Sequence, residues 1–166
     1  MDSQRALIRR VRAGDAAAIA AIYNHHVLHT AVTFEEVPVD AGTMRARIEE
    51  IDRTHVWYVA EVDGAVAGYA YASAWRPRSA YRKSVETTVY LGDAYLRRGI
   101  GVALYETLLP ELARRGFHSA MAGIALPNAG SVALHERVGF AKVAHFREVG
   151  WKLDRWIDVA YWQRML

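Results

Sequence analysis

Apolar and polar positions alternate over Leu7–Arg12, a period of two that predicts a first strand, and Gly14-Asp15 ends it. Asp15 then stands as the N-cap of a helix over Ala16–Leu28, where Ile19, Ile22 and Tyr23 recur at helical spacing. Thr30–Pro38 is β-branched and interrupted, so it reads as a connection. Asp40 caps a second predicted helix that runs to about Ile51. Val56–Val62 and Ala65–Ala72 read as strands, and Asp63-Gly64 between them is a hairpin turn. Trp75–Lys83 is a basic, aromatic loop, and Ser84–Leu91 is the next strand. Arg97–Gly101 is a glycine turn opening a helix to about Arg115, with Leu104, Leu108 and Leu112 as its buried stripe and Gly116 as its stop. Pro110 within it predicts a kink one turn earlier. His118–Ile124 is a strand, Pro127-Asn128 opens a short helix ending at Gly139, and Phe140–Gly150 and Trp156–Arg164 close the chain as strands. Helices and strands alternate only in the middle, which predicts an α/β (mixed α+β) fold with helices on both faces of one mixed sheet.

Composition narrows this picture. A chain of 166 residues suits a single domain, here 1–166, and 52% hydrophobic residues argue against disorder. The absence of cysteine excludes disulfides, thiolate metal sites and a cysteine nucleophile. With 21 Lys+Arg against 18 Asp+Glu, the net charge of +3 is too small to point to nucleic acid as a partner. The charged start MDSQRALIRRVRAGD has no apolar core of a signal peptide. Apolar stretches such as Ala16–Tyr23 fall well short of the ~18 residues that span a bilayer. The expectation is a soluble, cytoplasmic protein with no membrane contact.

Five groupings carry candidate chemistry. Along Ser84–Leu91, Val85, Thr87, Val89 and Leu91 share one face, while Ser84, Glu86, Thr88 and Tyr90 share the other. A carboxylate in the middle of a polar face marks a cleft if the strand is interior, and merely a wet face if it is an edge. Arg97-Arg98-Gly99-Ile100-Gly101 lets backbone approach a ligand at a helix N-terminus, as a phosphate cradle does, or is an ordinary strand-to-helix turn. Asn128, Ser131 and His135 fall on one helical stripe, although Asn128 is also a natural N-cap. The loop Trp75–Lys83 sets four cations among aromatics, suited to an RNA, carboxylate or phosphinate ligand, or simply solvated. His25 and His29 have the i, i+4 spacing of zinc ligands, but His26 stands where a metalloprotease has Glu and no third ligand follows, so no metal is expected.

In this order, the glycine turn after a strand, the Asn128 helix and Gly139-Phe140 resemble the GNAT superfamily of acetyl-CoA-dependent N-acetyltransferases. Family members carry Gln or Arg three residues before the first glycine of the turn; Leu96 stands there here. Ile22-Tyr23-Asn24-His25, Thr33-Phe34-Glu35, Arg78 with Ala80-Tyr81-Arg82, and Glu86-Thr87-Thr88-Val89-Tyr90 resemble the phosphinothricin N-acetyltransferases and their methionine sulfone and sulfoximine relatives. Asn128, Ser131, Leu134-His135-Glu136, Gly139-Phe140, Gly150 with Lys152, and Trp156 with Asp158 continue that likeness, which spans about Leu7 to Leu166. Many GNAT enzymes place Tyr seven residues after the Asn; the phosphinothricin group has His, as at His135.

The resemblance implies a twisted, mixed, mostly antiparallel sheet of about six to seven strands. It implies acetyl-CoA as co-substrate, no metal, and a small amino-acid substrate. Glu86 is then the candidate general base, and His135 shares that task or protonates the CoA sulfur. Val89, Tyr90 and Leu91 would hold the acetyl carbonyl and pantetheine arm, Arg97, Arg98, Gly99, Ile100 and Gly101 the pyrophosphate, and Asn128 and Ser131 the arm. Phe34, Arg78, Tyr81, Thr88 and Tyr90 would contact the amino acid; the planar fork of Arg78 suits a carboxylate or phosphinate. Relatives commonly form homodimers, and the aromatic end of the chain around Trp151, Trp156 and Trp162 agrees. The rival readings are a GNAT enzyme for a polyamine or a protein N-terminus, a non-catalytic acyl-CoA-binding regulator, and an RNA-binding module.

Overall fold

A computed structural model describes residues 6–166. In chain order the elements are β1 (Leu7–Arg10), α1 (Ala16–His29), α2 (Ala41–Thr54), β2 (Val56–Val62), β3 (Ala65–Ala74), β4 (Ser84–Leu91), α3 (Ile100–Arg114), β5 (Ser119–Leu126), α4 (Ala129–Arg137), β6 (Ala141–Lys152) and β7 (Arg155–Met165). The seven strands form one sheet in the order β1-β2-β3-β4-β5-β7-β6. Every pairing is antiparallel except β4 with β5. No described helix is long and apolar enough to cross a membrane.

Each face of the sheet buries its own core. On one face α3 lays Leu104, Leu108 and Leu112 against Val56, Ala70, Val85 and Ala120. On the other, α1 and α2 cover Trp57, Val59 and Tyr69 with Ile19, Met44 and Ile48. Trp57 stacks on the rings of Tyr71 (4.1 Å) and Tyr69 (5.4 Å).

The expected elements are all present, with shifted ends and three differences. Asp15 does not cap α1, because Arg9 grips its carboxylate with both guanidinium nitrogens (2.8 and 2.9 Å) and the Arg12 amide donates to it at 2.7 Å. That arrangement ties the end of β1 to the helix instead. Asp40 does cap α2, accepting from the Thr43 amide at 2.8 Å. Pro110 lies within α3, which continues through it to Arg114. The hairpin Asp63-Gly64 has both residues at positive φ, the geometry a two-residue turn needs. The β6–β7 turn has the same geometry at Leu153 and Asp154, which do not favour it. Finally β4 lies in the middle of the sheet, so its polar face is not the wet side of an edge strand.

Candidate active site

The strand that carries Glu86 is paired on both sides for only part of its length. Along β3 it is bonded from Val85 to Leu91. Along β5 the ladder has three rungs, Ser84↔Ser119, Val85↔Ala120 and Glu86↔Met121, and then stops. Beyond Glu86 the two strands part while both continue. The N–H and C=O groups of Thr87–Leu91 that point away from β3 therefore lack a ladder partner. Such a gap fits an extended, amide-bearing ligand lying against β4 as a strand would.

The helix following β4 begins at the same end of this gap. Arg97 and Gly99 have left-handed φ values of 58° and 78°, with Arg98 between them at negative φ. This alternation turns successive N–H groups inward, and the first turn of α3 adds donors without intrahelical partners. A Cβ at Gly101 would sit 2.8 Å from Leu134 Cδ2, so the missing side chain lets α4 pack close to the start of α3. At the head of α4, the Asn128 Oδ1 accepts from the Ser131 amide at 3.1 Å. Asn128 is thus the N-cap, and its side-chain amide nitrogen remains free to donate.

His135 is 3% exposed and both ring nitrogens are engaged. Nδ1 lies 2.7 Å from the Ser131 carbonyl, which can only accept, so Nδ1 carries the proton. Burial pulls the pKa of His135 below its usual value, with the Ser131 contact opposing, which favours a neutral ring. Nε2 then accepts from the Tyr105 hydroxyl at 2.7 Å. The Tyr105 and Thr87 hydroxyls are 3.2 Å apart, and the Thr87 hydroxyl is also 3.2 Å from the Met121 carbonyl. This buried chain of polar groups runs from α4 through α3 to the last rung between β4 and β5.

Glu86, Thr88 and Tyr90 face the opposite side, towards α1. Glu86 is half-buried, and no donor among the described residues hydrogen-bonds its carboxylate. Burial pushes its pKa above the ordinary glutamate value, and the positive charge of Arg76 pulls it partly back. The Tyr90 ring packs against Tyr23 (5.4 Å), His26 (5.3 Å) and Tyr69 (5.7 Å). Phe34, in the irregular segment between α1 and α2, is 43% exposed and rests on Gly150 of β6.

The structure therefore gathers Glu86, Thr88, Tyr90 and the ends of α3 and α4 around one gap. Arg78 and Tyr81 stand apart on the exposed 75–83 loop, where neither hydrogen-bonds, ion-pairs nor stacks with the β4 face. Arg76, over the ring of Trp75 at 4.9 Å, is the loop cation whose charge acts on Glu86. Sequence reasoning missed Arg76, and also Tyr105. The signal for Tyr105 was its place one helical turn after Gly101, on the side of α3 that meets α4. Among the described residues no cluster of three or more His, Asp or Glu has metal-binding geometry; His25 instead pairs with Asp93 at 3.0 Å.

Comparison with known proteins assigns the chain to a family. The family model of the acetyltransferase (GNAT) domain matches residues 8–161. A phosphinothricin N-acetyltransferase of Streptomyces viridochromogenes is 41% identical over 157 residues, covering 95% of this chain and 86% of its own. An L-methionine sulfoximine/L-methionine sulfone acetyltransferase of Salmonella typhimurium is 39% identical, covering 96% and 94%. The crystal structure of a GNAT superfamily phosphinothricin acetyltransferase from Sinorhizobium meliloti, in complex with acetyl-CoA, superimposes with a TM-score of 0.94 at 38% identity, over 98% of this chain and 89% of that one. The chain therefore belongs to the GNAT acetyltransferases as an acetyl-CoA-dependent N-acetyltransferase.

Proposed function

We propose that the protein acetylates the α-amino group of a small amino acid with a polar tetrahedral side-chain head, of the phosphinothricin, methionine sulfone or methionine sulfoximine type, by direct attack within a ternary complex. The observation that carries this reading is Glu86. Its half-buried, unbonded carboxylate lies at the last rung before the strands part, where an amine on the α1 side meets a thioester on the α3 side. An ammonium has no lone pair, so it must lose a proton before it attacks. A carboxylate raised by burial is a better base than one in water, and Glu86 takes that proton directly or through a water.

When bound, acetyl-CoA supplies the acetyl thioester and a thiolate leaving group, whose reference pKa is about 8.5. The rest belongs to the chain. Open backbone N–H groups around Val89, Tyr90 and Leu91 hold the acetyl carbonyl and the arm. Arg97, Arg98, Gly99, Ile100 and Gly101 hold the pyrophosphate. Asn128 and Ser131 contact the arm. His135 reaches the gap only through Tyr105, so it orients this end of β4 and passes protons at one remove. Phe34, Thr88 and Tyr90 wall the amino acid, Arg76 lies near its carboxylate, and Arg78 and Tyr81 approach from the loop. A second copy of the chain covers the outer face of β6 and β7, where Trp151 and Trp156 are 53% and 59% exposed among other apolar residues.

Among other amines, the loop cations disfavour a polyamine, and a poised Glu86 is unneeded in a regulator that only binds acyl-CoA. CoA release with L-phosphinothricin, L-methionine sulfone, L-methionine sulfoximine, L-methionine, spermidine and a short peptide decides the substrate class. Turnover selective for the tetrahedral-headed amino acids is expected; turnover of spermidine or the peptide alone defeats the reading. In the pH profile, kcat/KM is expected to climb through the raised pKa of Glu86 and level off above it. Arg76→Ala removes the charge that lowers that pKa, so the acid limb moves to higher pH. Glu86→Gln lowers kcat by about 10²-fold or more with acetyl-CoA affinity nearly unchanged. Gly99→Ala meets no atom within 4 Å, so its cost is conformational. An Ala held at positive φ costs ~1 kcal/mol, and the KM for acetyl-CoA is expected to rise about fivefold while the amino-acid KM stays. Light scattering after size exclusion is expected to give a dimer mass, and Trp156→Glu a monomer.

A further inference from the structure

Lys152, the last residue of β6, is 3% exposed and ion-pairs with no carboxylate among the described residues. Its ammonium donates to the Thr33 carbonyl at 2.8 Å and the Glu35 carbonyl at 2.9 Å, with the His26 carbonyl at 3.5 Å as a third acceptor. Thr33 and Glu35 are the two residues flanking Phe34. Two positions earlier in β6, Gly150 receives the Phe34 ring, and a Cβ there would overlap it. The end of β6 thus holds Phe34 twice, by its ring and by the carbonyls of both neighbouring residues.

A buried ammonium satisfied by carbonyls alone is a costly choice for a protein that needs only stability. Its location suggests a use. The other polar ties of this segment run to the α1–α2 side: Thr33 to Tyr23 at 2.9 Å, Glu35 to Arg47 at 2.9 Å, and Val39 to Asn24 at 2.7 and 2.8 Å. Lys152 ties it to the β6–β7 side, across the gap that opens where β4 and β5 part. Thr33 bonds Tyr23, whose ring packs on Tyr90, so the strap lies beside the polar face of β4.

We propose that Lys152 is a positioning residue for the amino-acid substrate, pinning the carbonyls of the residues on either side of Phe34 to β6 so that the ring, seated on Gly150, forms a fixed wall of the cleft. The role rests on the amino-acid reading above. Removing the pin frees the wall, so the enzyme loses affinity and head-group selectivity for the amino acid but not for acetyl-CoA.

The test compares Lys152→Met, which keeps length and removes charge and donors, with Lys152→Arg, which keeps charge and donors. Steady-state kinetics with L-methionine sulfone and acetyl-CoA are run beside hydrogen–deuterium exchange of residues 31–37, with the oligomer mass checked for each. Expected for Lys152→Met is a rise of about tenfold in the amino-acid KM, with a far smaller change in that for acetyl-CoA, and faster exchange in 31–37 but not in α3. Lys152→Arg recovers part of both. In a Phe34→Ala background the effect of Lys152→Met on the amino-acid KM disappears, because the wall it holds is gone. Equal rises in both KM values, an unchanged amino-acid KM, or full additivity with Phe34→Ala overturns the proposal. If Lys152→Met does not fold, Gly150→Ala, which displaces the ring and leaves the ammonium, decides by the same KM split. A wild-type enzyme that turns over none of the amino acids defeats the substrate reading, and with it this role; unchanged exchange in 31–37 defeats the pin alone.

Discussion

Parallel pairing between β4 and β5 lasts three rungs, and the parting of the strands after Glu86↔Met121 governs the rest of the molecule. Broken pairing in the middle of a sheet leaves backbone donors and acceptors unmet, which a folded protein tolerates only where another partner fills the place. One side-chain hydroxyl, Thr87, meets the Met121 carbonyl just at the break. Further along, the groups of β4 on that side have no ladder partner. The break also joins the two faces of the sheet. Val85, Val89 and Leu91 turn towards α3, and Glu86, Thr88 and Tyr90 turn towards α1, so the opening lies between the two sides.

Two carboxylates show how environment sorts chemistry from structure. Asp15 is held below its usual pKa, chiefly by its hydrogen bonds from Arg9, and its stabilisation is present at neutral pH and lost as pH falls through that lowered value. Glu86 has no such bond, so burial dominates and its pKa rises. The first is spent on holding β1 to α1. The second is half-buried and has no hydrogen-bond donor among the described residues.

Much of this was legible in the chain itself. The polar face of Ser84–Leu91, the glycine turn and the helix cap at Asn128 all announced themselves by spacing, because strand alternation and helix termini are local rules. What stayed hidden was non-local. Nothing near Glu86 in sequence says that its strand is interior, and only the register with Met121 shows where the ladder ends. Asp15 read as a cap because capping is judged from neighbours, whereas Arg9 reached it from across a turn. The cation whose charge acts on Glu86 is Arg76, in a loop that no periodicity constrains. Leu153 and Asp154 concealed a hairpin, since neither residue prefers the left-handed geometry both adopt.

A sheet that parts in the middle must be held together elsewhere, or its two halves drift apart. On the α3 side the tie is the chain from Ser131 through His135 and Tyr105 to Thr87, which spans three elements with every contact buried or half-buried. On the α1 side it is the strap of residues 33–35 reaching β6 through Lys152. Both ties use polar groups rather than apolar packing, and the physical reason is directional. Hydrophobic contacts tolerate sliding, whereas a hydrogen bond weakens steeply with misalignment, so polar ties fix the width of an opening that packing would leave loose.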